Sequence, residues 1–559
     1  MDEPSQAPAQ TRWKLAARIG WAALIVATLY VCYFSHLGTL GFIGPDEPRY
    51  AWVAREMVES HDWVTPRLYG KPWFEKPVLY YWGAALCFEL FGVNEAAARL
   101  PSALSALLAT LSLAWLAWRV YGGETARWLL VLLPTTVGMI GFSHAATMDM
   151  PFTGMLTVAL VAAAVVLGFA RPAAESPSSP DQTATVKGLL ATPWSALIAF
   201  GVFLGAAVLA KGPAAIVLCG GAVLLWALFT RGWRDAFRLL HPVAIAAFCV
   251  TALPWYILCA RRNPDFFRVF IIEHNFQRYL TPEFRHIQPF WFYVPILIVA
   301  ASPWVPLVFA RARVRFEEHL RNKPARPVAK FLWSWVLFVT LFFSLSKSKL
   351  PGYILPAVPS VIMGVALSLA RALQSERFSR WIAVGSGVSL MMLGTVWAFV
   401  DSQVPGGQNI VPAPWQRQMT FVFSIGGLIV VTLAAFKRSR PAMFATLLTF
   451  LSLTANGESA LVRLDPVFSS RHAVQDALFW SREGFVIERA CAYKLPRGPR
   501  YGLSFYLHRE VRECASTEPL GSVFTTAQEV ADLKQQGVLC PPYIVFPAAI
   551  PCAARKSQN

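Results

Sequence analysis

The sequence predicts an α-helical, polytopic membrane protein that carries a small α/β domain at its C-terminal end. Of its 559 residues, 55% are hydrophobic and only 15% charged, where a soluble chain holds about a quarter charged residues. Apolar runs of about 20 residues, each long enough to cross a bilayer, recur along the chain. After Asn456 the pattern changes to shorter and more polar periods. The expected division is a membrane domain over residues 1–456, with an outer loop at 38–96 carrying interfacial helices, and an α/β domain over 457–559.

The first apolar run, Ala17–Leu37, is long, has no small-residue cleavage site and precedes many others, so it reads as a retained helix rather than a signal peptide. The polar loop Gly38–Pro77 follows, then a shorter apolar piece, Val78–Phe91, which contains Glu89 and is placed in the membrane interface. Further spans are expected at Ala97–Val120, Ala126–Phe142, Phe152–Ala170, Pro193–Ala210, Pro213–Phe229 and His241–Cys259. The series continues with Phe290–Ala310, Phe331–Leu345, Ile354–Ala370, Trp381–Val400, Met419–Phe436 and Pro441–Ala455. That makes about thirteen transmembrane helices at the usual spanning length. In the tail, Ala473–Trp480 and Ala527–Gln536 have helical periods, whereas Leu503–Leu507 and Tyr543–Phe546 read as strands.

The net charge of +18 raises the question of nucleic acid. The basic residues, however, sit in short clusters between apolar runs, as topology determinants and phospholipid contacts do. Clusters such as Arg12, Lys14 and Arg18, Arg231, Arg234 and Arg238, or Lys437, Arg438 and Arg440 fall on alternate connections and mark the cytoplasmic side. An odd number of spans then puts the tail outside. Five cysteines lie in or beside apolar segments, and Cys491, Cys514, Cys540 and Cys552 fall in the tail. Four tail cysteines in an oxidising compartment suggest disulfides. Pro172–Asp181 reads as a cytoplasmic linker.

This topology brings charged motifs from distant parts of the chain to one outer surface. They are Asp46-Glu47 with Glu75-Lys76, then Met148-Asp149-Met150, Glu273-His274 with Arg278, and Lys347-Ser348-Lys349-Leu350-Pro351-Gly352-Tyr353. Ionisable groups at a membrane boundary are costly and are often functional. Asp46 and Asp149 are the principal catalytic candidates, with Glu47 beside them. Each Asp also reads as a helix cap, since Pro48 and Pro151 follow closely. The two readings are compatible, because a capping carboxylate is held rigidly. Lys76 either snorkels at the boundary or receives an anion. Glu75 and His274 are of the right type to share a divalent metal, zinc by ligand preference, or simply to hydrogen-bond. The chain has no phosphate-binding glycine loop and no nucleotide fingerprint, so no nucleotide cofactor is expected.

These motifs, in this order, resemble the lipid A aminoarabinose transferases, a branch of the protein O-mannosyltransferase-like GT-C glycosyltransferases. The similarity runs to about residue 370. It implies a GT-C fold in a bacterial inner membrane, N-terminus cytoplasmic and C-terminus periplasmic. It further implies inverting transfer of a sugar from a polyprenyl (undecaprenyl) phosphate to an acceptor on the periplasmic face, with aminoarabinose and lipid A as the family's pair. Asp46 would be the base or acceptor-orienting acid, assisted by Asp149. Lys76 and Arg278 would hold the donor phosphate, Tyr353 and Lys347 would line its path with Arg49, Tyr50 and Lys349 as further substrate contacts, and Glu75 and His274 match positions associated with a structural zinc. A protein O-mannosyltransferase is the alternative within the same chemistry. A transporter or flippase would show broken or charged helices at mid-membrane and inverted repeats, and the sequence has neither pattern.

Overall fold

The protein is described by a computed structural model covering residues 7–170, 193–277, 287–304, 327–373, 376–399, 413–455, 457–481, 485–515, 521–541 and 548–554. Each stretch expected to span carries helix among these residues. Among the described residues eight helices are long and apolar enough to cross a membrane, and the bent pair Gly123–Leu132 and Val137–Ser143 makes a ninth crossing if it counts as one. Leu79–Phe91, Ala214–Thr230 and Phe290–Ala300 are apolar but shorter.

The bent pair replaces the single span expected over Ala126–Phe142. Its halves meet at 60°. Pro134 falls in the break, where it has no N–H to continue the first helix. Thr136 then caps the second half, its Oγ1 accepting from Met139 N at 3.4 Å. Trp304 fills the elbow, donating Nε1–H to Thr135 Oγ1 at 3.0 Å.

The centre of the bundle is the helix Asp149–Val166, buried along most of its length and packed against Glu95–Tyr121 and Pro193–Lys211. Close approach is possible because Gly154 faces Ser105, where an added Cβ would come within 2.7 Å of the backbone oxygen. Small residues at such crossings supply the packing that apolar transfer cannot drive inside a bilayer. The helices Glu376–Phe399, Ala413–Ala435 and Ser439–Ala455 pack on one another around their own core of Ala383, Leu390, Phe423, Val430, Ala434 and Ala442.

The C-terminal domain holds a four-stranded sheet in the order Cys491–Ala492, Ser522–Thr525, Ile550–Ala554, Val538–Leu539. Both tail cysteine pairs are closed, Cys491 with Cys514 and Cys540 with Cys552. The helices expected near Ala473–Trp480 and Ala527–Gln536 are present as Arg471–Trp480 and, after a 3₁₀ turn, Val530–Gln535. Leu503–Leu507 is not a strand. Residues 503–506 lie in the helix Arg497–Tyr506, where Leu503, Ser504 and Phe505 are all buried, and Leu507 is its C-cap. Tyr543–Phe546 lies outside the described residues.

Candidate active site

The site is built on the turn Gly38–Pro45 and the helix Asp46–Ser60 that follows it. One buried cation organises the turn. Arg99, near the start of the helix Glu95–Tyr121, donates to the carbonyls of Leu37, Leu40 and Gly41 at 2.8, 2.5 and 3.0 Å. Its other donors meet Glu47, Nε on Oε1 at 2.9 Å and Nη2 on Oε2 at 2.8 Å. Glu47 also accepts from the backbone N–H of Ile43 at 2.8 Å and of Ala146 at 2.7 Å. Glu47 is thus a buried brace, and its oxygens are occupied by protein donors. The geometry gives this catalytic candidate a structural role. The Ala146 bond also hangs the turn that leads to Asp149 on the helix that begins with Asp46.

Asp46 is the first residue of its helix, and Pro45 before it makes no side-chain cap. Its carboxylate stays about half exposed and accepts from Arg49 Nη2 at 2.5 Å. The same guanidinium donates from Nη1 to Glu75 at 2.9 Å, and Lys76 Nζ lies 3.8 Å from the other Glu75 oxygen. Arg49 therefore bridges two carboxylates. Burial alone would pull its pKa down, but Tyr50, Glu75 and Asp46 outweigh that and hold it above the ordinary arginine value. Aromatic rings box it in: the guanidinium carbon sits 5.2 Å from the Tyr50 ring centre, 5.3 Å from Trp73 and 5.6 Å from Tyr501. Tyr50 is itself buried against Tyr80 and Tyr81, so it forms the floor of the box.

A second cluster forms around Asp149, also the first residue of its helix and also without a side-chain cap at the residue before it. Its carboxylate takes a short charge-assisted bond from Lys211 Nζ. Lys211 lies 4.5 Å from the centre of the Tyr353 ring. The loop before Tyr353 closes on Asp149, since a Cβ on Gly352 would come within 3.0 Å of the Asp149 carboxyl carbon. Lys347 is exposed. Lys349 is buried and donates to the Ser346 carbonyl at 2.6 Å, and burial, with Lys347 beside it, lowers its pKa. Its ammonium is engaged with its own loop.

The segment that carries Glu273-His274 approaches through Phe266, which packs edge-on against Phe74, next to Glu75, with ring centres 5.2 Å apart. Glu273, in the π-helix Arg268–Gln277, pairs with Arg268 at 2.9 Å. The side chain of His274 and all of Arg278 lie outside the described residues. Among the described residues no three His, Cys, Asp or Glu side chains converge as a metal site. Glu75 faces two cations, Arg49 and Lys76.

Sequence reasoning missed Arg99, Lys211 and Tyr501 as site residues. Arg99 and Lys211 carried a signal, a charge at the edge of an apolar helix. Tyr501 carried none. Its helix reaches the site because the C-terminal domain grips the turn Gly38–Pro45. Asp465 accepts from Gly41 N at 2.5 Å, Arg471 donates to the Thr39 carbonyl at 2.7 Å, and Tyr506 Oη accepts from Phe42 N at 2.9 Å.

Residues 21–270 match the family described as dolichyl-phosphate-mannose-protein mannosyltransferase. A protein of Serratia proteamaculans (strain 568) named undecaprenyl phosphate-alpha-4-amino-4-deoxy-L-arabinose arabinosyl transferase is 31% identical over 430 residues, 76% of this chain and 73% of that one. A protein of the same name from Edwardsiella ictaluri (strain 93-146) is 32% identical over 339 residues, 60% of this chain. The match spans 57% of the Edwardsiella protein's length. The crystal structure of ArnT from Cupriavidus metallidurans bound to undecaprenyl phosphate superposes with a TM-score of 0.75 at 23% identity, covering 96% of this chain and 98% of that one. That likeness is one of fold, and it agrees with the GT-C architecture expected from the motifs.

Proposed function

Because the chain belongs to the family of undecaprenyl phosphate-alpha-4-amino-4-deoxy-L-arabinose arabinosyl transferases, we propose that it is an integral-membrane glycosyltransferase using a sugar linked to undecaprenyl phosphate. The proposed donor sugar is aminoarabinose and the proposed acceptor is lipid A, at the periplasmic face of the inner membrane. The observation that carries this reading is the Asp46–Arg49–Glu75 bridge with Lys76 beside it, a proton acceptor set against cations on one surface.

In the proposed reaction the acceptor oxygen attacks the anomeric carbon from the face opposite the phosphate, so the configuration inverts. The carbon–oxygen bond to phosphate breaks, and its electron pair leaves on the phosphate oxygen. Lys76, with Arg278, stabilises that growing charge. The acceptor proton passes to Asp46, whose carboxylate Arg49 orients. The leaving group is already a phosphate, so little acid assistance is needed. Asp149 and Lys211, held together beside Tyr353, orient the donor sugar.

The outer placement of the site is supported by the closed tail disulfides, which fit an oxidising compartment. Zinc at Glu75 and His274 is kept as a proposal, tested by the metal content of wild type against Glu75→Gln. The match of residues 21–270 to the mannosyltransferase family supports a second reading, transfer of mannose to protein. Purified protein incubated with a panel of polyprenyl-phosphate sugars, with lipid A or a peptide as acceptor, separates the two. Consumption of the aminoarabinose donor only when lipid A is present is the expected result. Consumption of a mannose donor with peptide would replace it.

A further inference from the structure

We propose that Tyr501, supplied by the C-terminal domain, is a positioning residue of the transfer site: its ring closes the aromatic box around Arg49 and so holds Asp46 and Glu75 in register. The proposal rests on the reading of Asp46 as the proton acceptor. Arg49 is gripped only at one end. Its two terminal nitrogens meet Asp46 and Glu75, while its Nε is buried and makes no hydrogen bond among the described residues. A guanidinium held in that way can pivot about its terminal contacts. Ring faces on its flanks stop the pivot without competing for its donors, because a ring attracts the cation through its quadrupole. Tyr50 and Trp73 come from the same loop region, and the third ring is Tyr501.

Tyr501 is itself buttressed. Its ring stacks on Tyr69, with centres 6.5 Å apart and planes 25° from parallel, and Tyr69 packs edge-on against Trp52 at 4.7 Å. Tyr69 sits at the tip of a short hairpin, Arg67–Leu68 paired with Lys71–Pro72, in the left-handed region at φ 55°. Glu56 ties that tip to the Asp46 helix, accepting from Gly70 N and from Trp52 Nε1, both at 2.8 Å. The helix carrying Tyr501 is docked independently. Arg55 Nη1 donates to the Phe505 carbonyl at 3.2 Å, and Gly498 lies so close to Gly44 that an added Cβ would stand 3.2 Å from its backbone. A ring held on both sides in this way has the rigidity that positioning requires. The C-terminal domain is then a component of the site.

The test uses the full chain in detergent, with undecaprenyl phosphate-linked aminoarabinose as donor and lipid A as acceptor. Tyr501→Leu is expected to lower kcat about 10-fold, with donor KM within about 2-fold and thermal unfolding near wild type. Tyr501→Phe, which keeps the ring, is expected to recover most of kcat. Adding Tyr501→Leu to Arg49→Lys should cost little beyond Arg49→Lys alone, because the ring acts through that cation. Arg49 modification by phenylglyoxal, read by peptide mass spectrometry, needs no substrate and should rise several-fold in Tyr501→Leu but not in Tyr501→Phe. Wild-type kcat and unchanged Arg49 reactivity in Tyr501→Leu would overturn the proposal, as would equal losses in the Leu and Phe variants. A loss that merely follows the folded fraction would overturn it too. A wild-type chain that transfers nothing on this substrate pair would instead overturn the substrate reading, and Arg49 reactivity would still decide the role of Tyr501.

Discussion

Glu47 and Arg99 face each other as a two-pronged ion pair, Nε to Oε1 at 2.9 Å and Nη2 to Oε2 at 2.8 Å. Both side chains are almost wholly buried. Removing one partner of such a pair leaves an uncompensated charge, which typically costs about 3–5 kcal/mol. Arg99→Ala should therefore reduce yield and thermal stability sharply, because the turn Gly38–Pro45 loses its carbonyl anchors as well. Glu47→Gln should lower stability, and turnover per folded molecule should stay close to wild type. A well-folded Glu47→Gln with no turnover would return Glu47 to the catalytic groups.

Asp46, the residue before Glu47, is expected to behave in the opposite way. Its carboxylate is about half exposed and Asn keeps an oxygen that can accept from Arg49, so Asp46→Asn should leave thermal unfolding near wild type. Asn cannot take the acceptor's proton, and a positioned base contributes about 10²- to 10⁴-fold. Turnover should fall at least about 100-fold. Asp149→Asn should lose less, since its carboxylate is paired with Lys211 and acts by orientation. If Asp149→Asn abolishes turnover and Asp46→Asn does not, the two roles are exchanged.

Lys76→Ala should weaken use of the lipid donor by about 1.5–3 kcal/mol, the usual contribution of a hydrogen bond to a charged group. Lys76→Arg should not restore it, because a planar fork beside Glu75 differs from a compact ammonium. Kinetics over a range of donor concentrations decide the matter: an unchanged donor KM and kcat in Lys76→Ala would make it a snorkelling lysine.

Sidedness is open to labelling. Cysteines introduced at Arg234, between the helices Ala214–Thr230 and Pro242–Arg262, and at Lys494, in the C-terminal domain, should react from the cytoplasmic and periplasmic sides respectively. Native Cys32, Cys87, Cys219 and Cys259 are buried and should give little background. Reaction of both from the same side would dismantle the expected orientation.

Much of this molecule was legible along the chain because the signals are local. A run of apolar residues needs no partner to declare a helix in a bilayer, since only a helix satisfies its own backbone there. The clustering of Asp46, Glu75 and Lys76 after the first span was legible for a similar reason, as charge beside hydrocarbon is costly wherever the chain later folds. The four polar-tail cysteines announced disulfides, though not which sulfur meets which.

What the tertiary structure decided is direction and partnership. Asp46 and Glu47 are neighbours with the same chemistry, but side chains one residue apart on a helix point about 100° from each other. One therefore turns to the open site and the other to Arg99, which is 52 residues away in sequence. Lys347 and Lys349 divide in the same way, the first exposed and the second bonded inside its own loop. The stretch Leu503–Leu507 suits either a strand or a helix by its pattern, and docking against the Asp46 helix selects the helix. Tyr501 joins the site through long-range contacts, among them the bonds of Asp465, Arg471 and Tyr506 to the backbone of a turn more than 400 residues earlier. Those bonds are long-range and individually ordinary, so composition and spacing determined the class of protein and the loop that bears the acids, whereas only the closed fold could pair each charge with its partner.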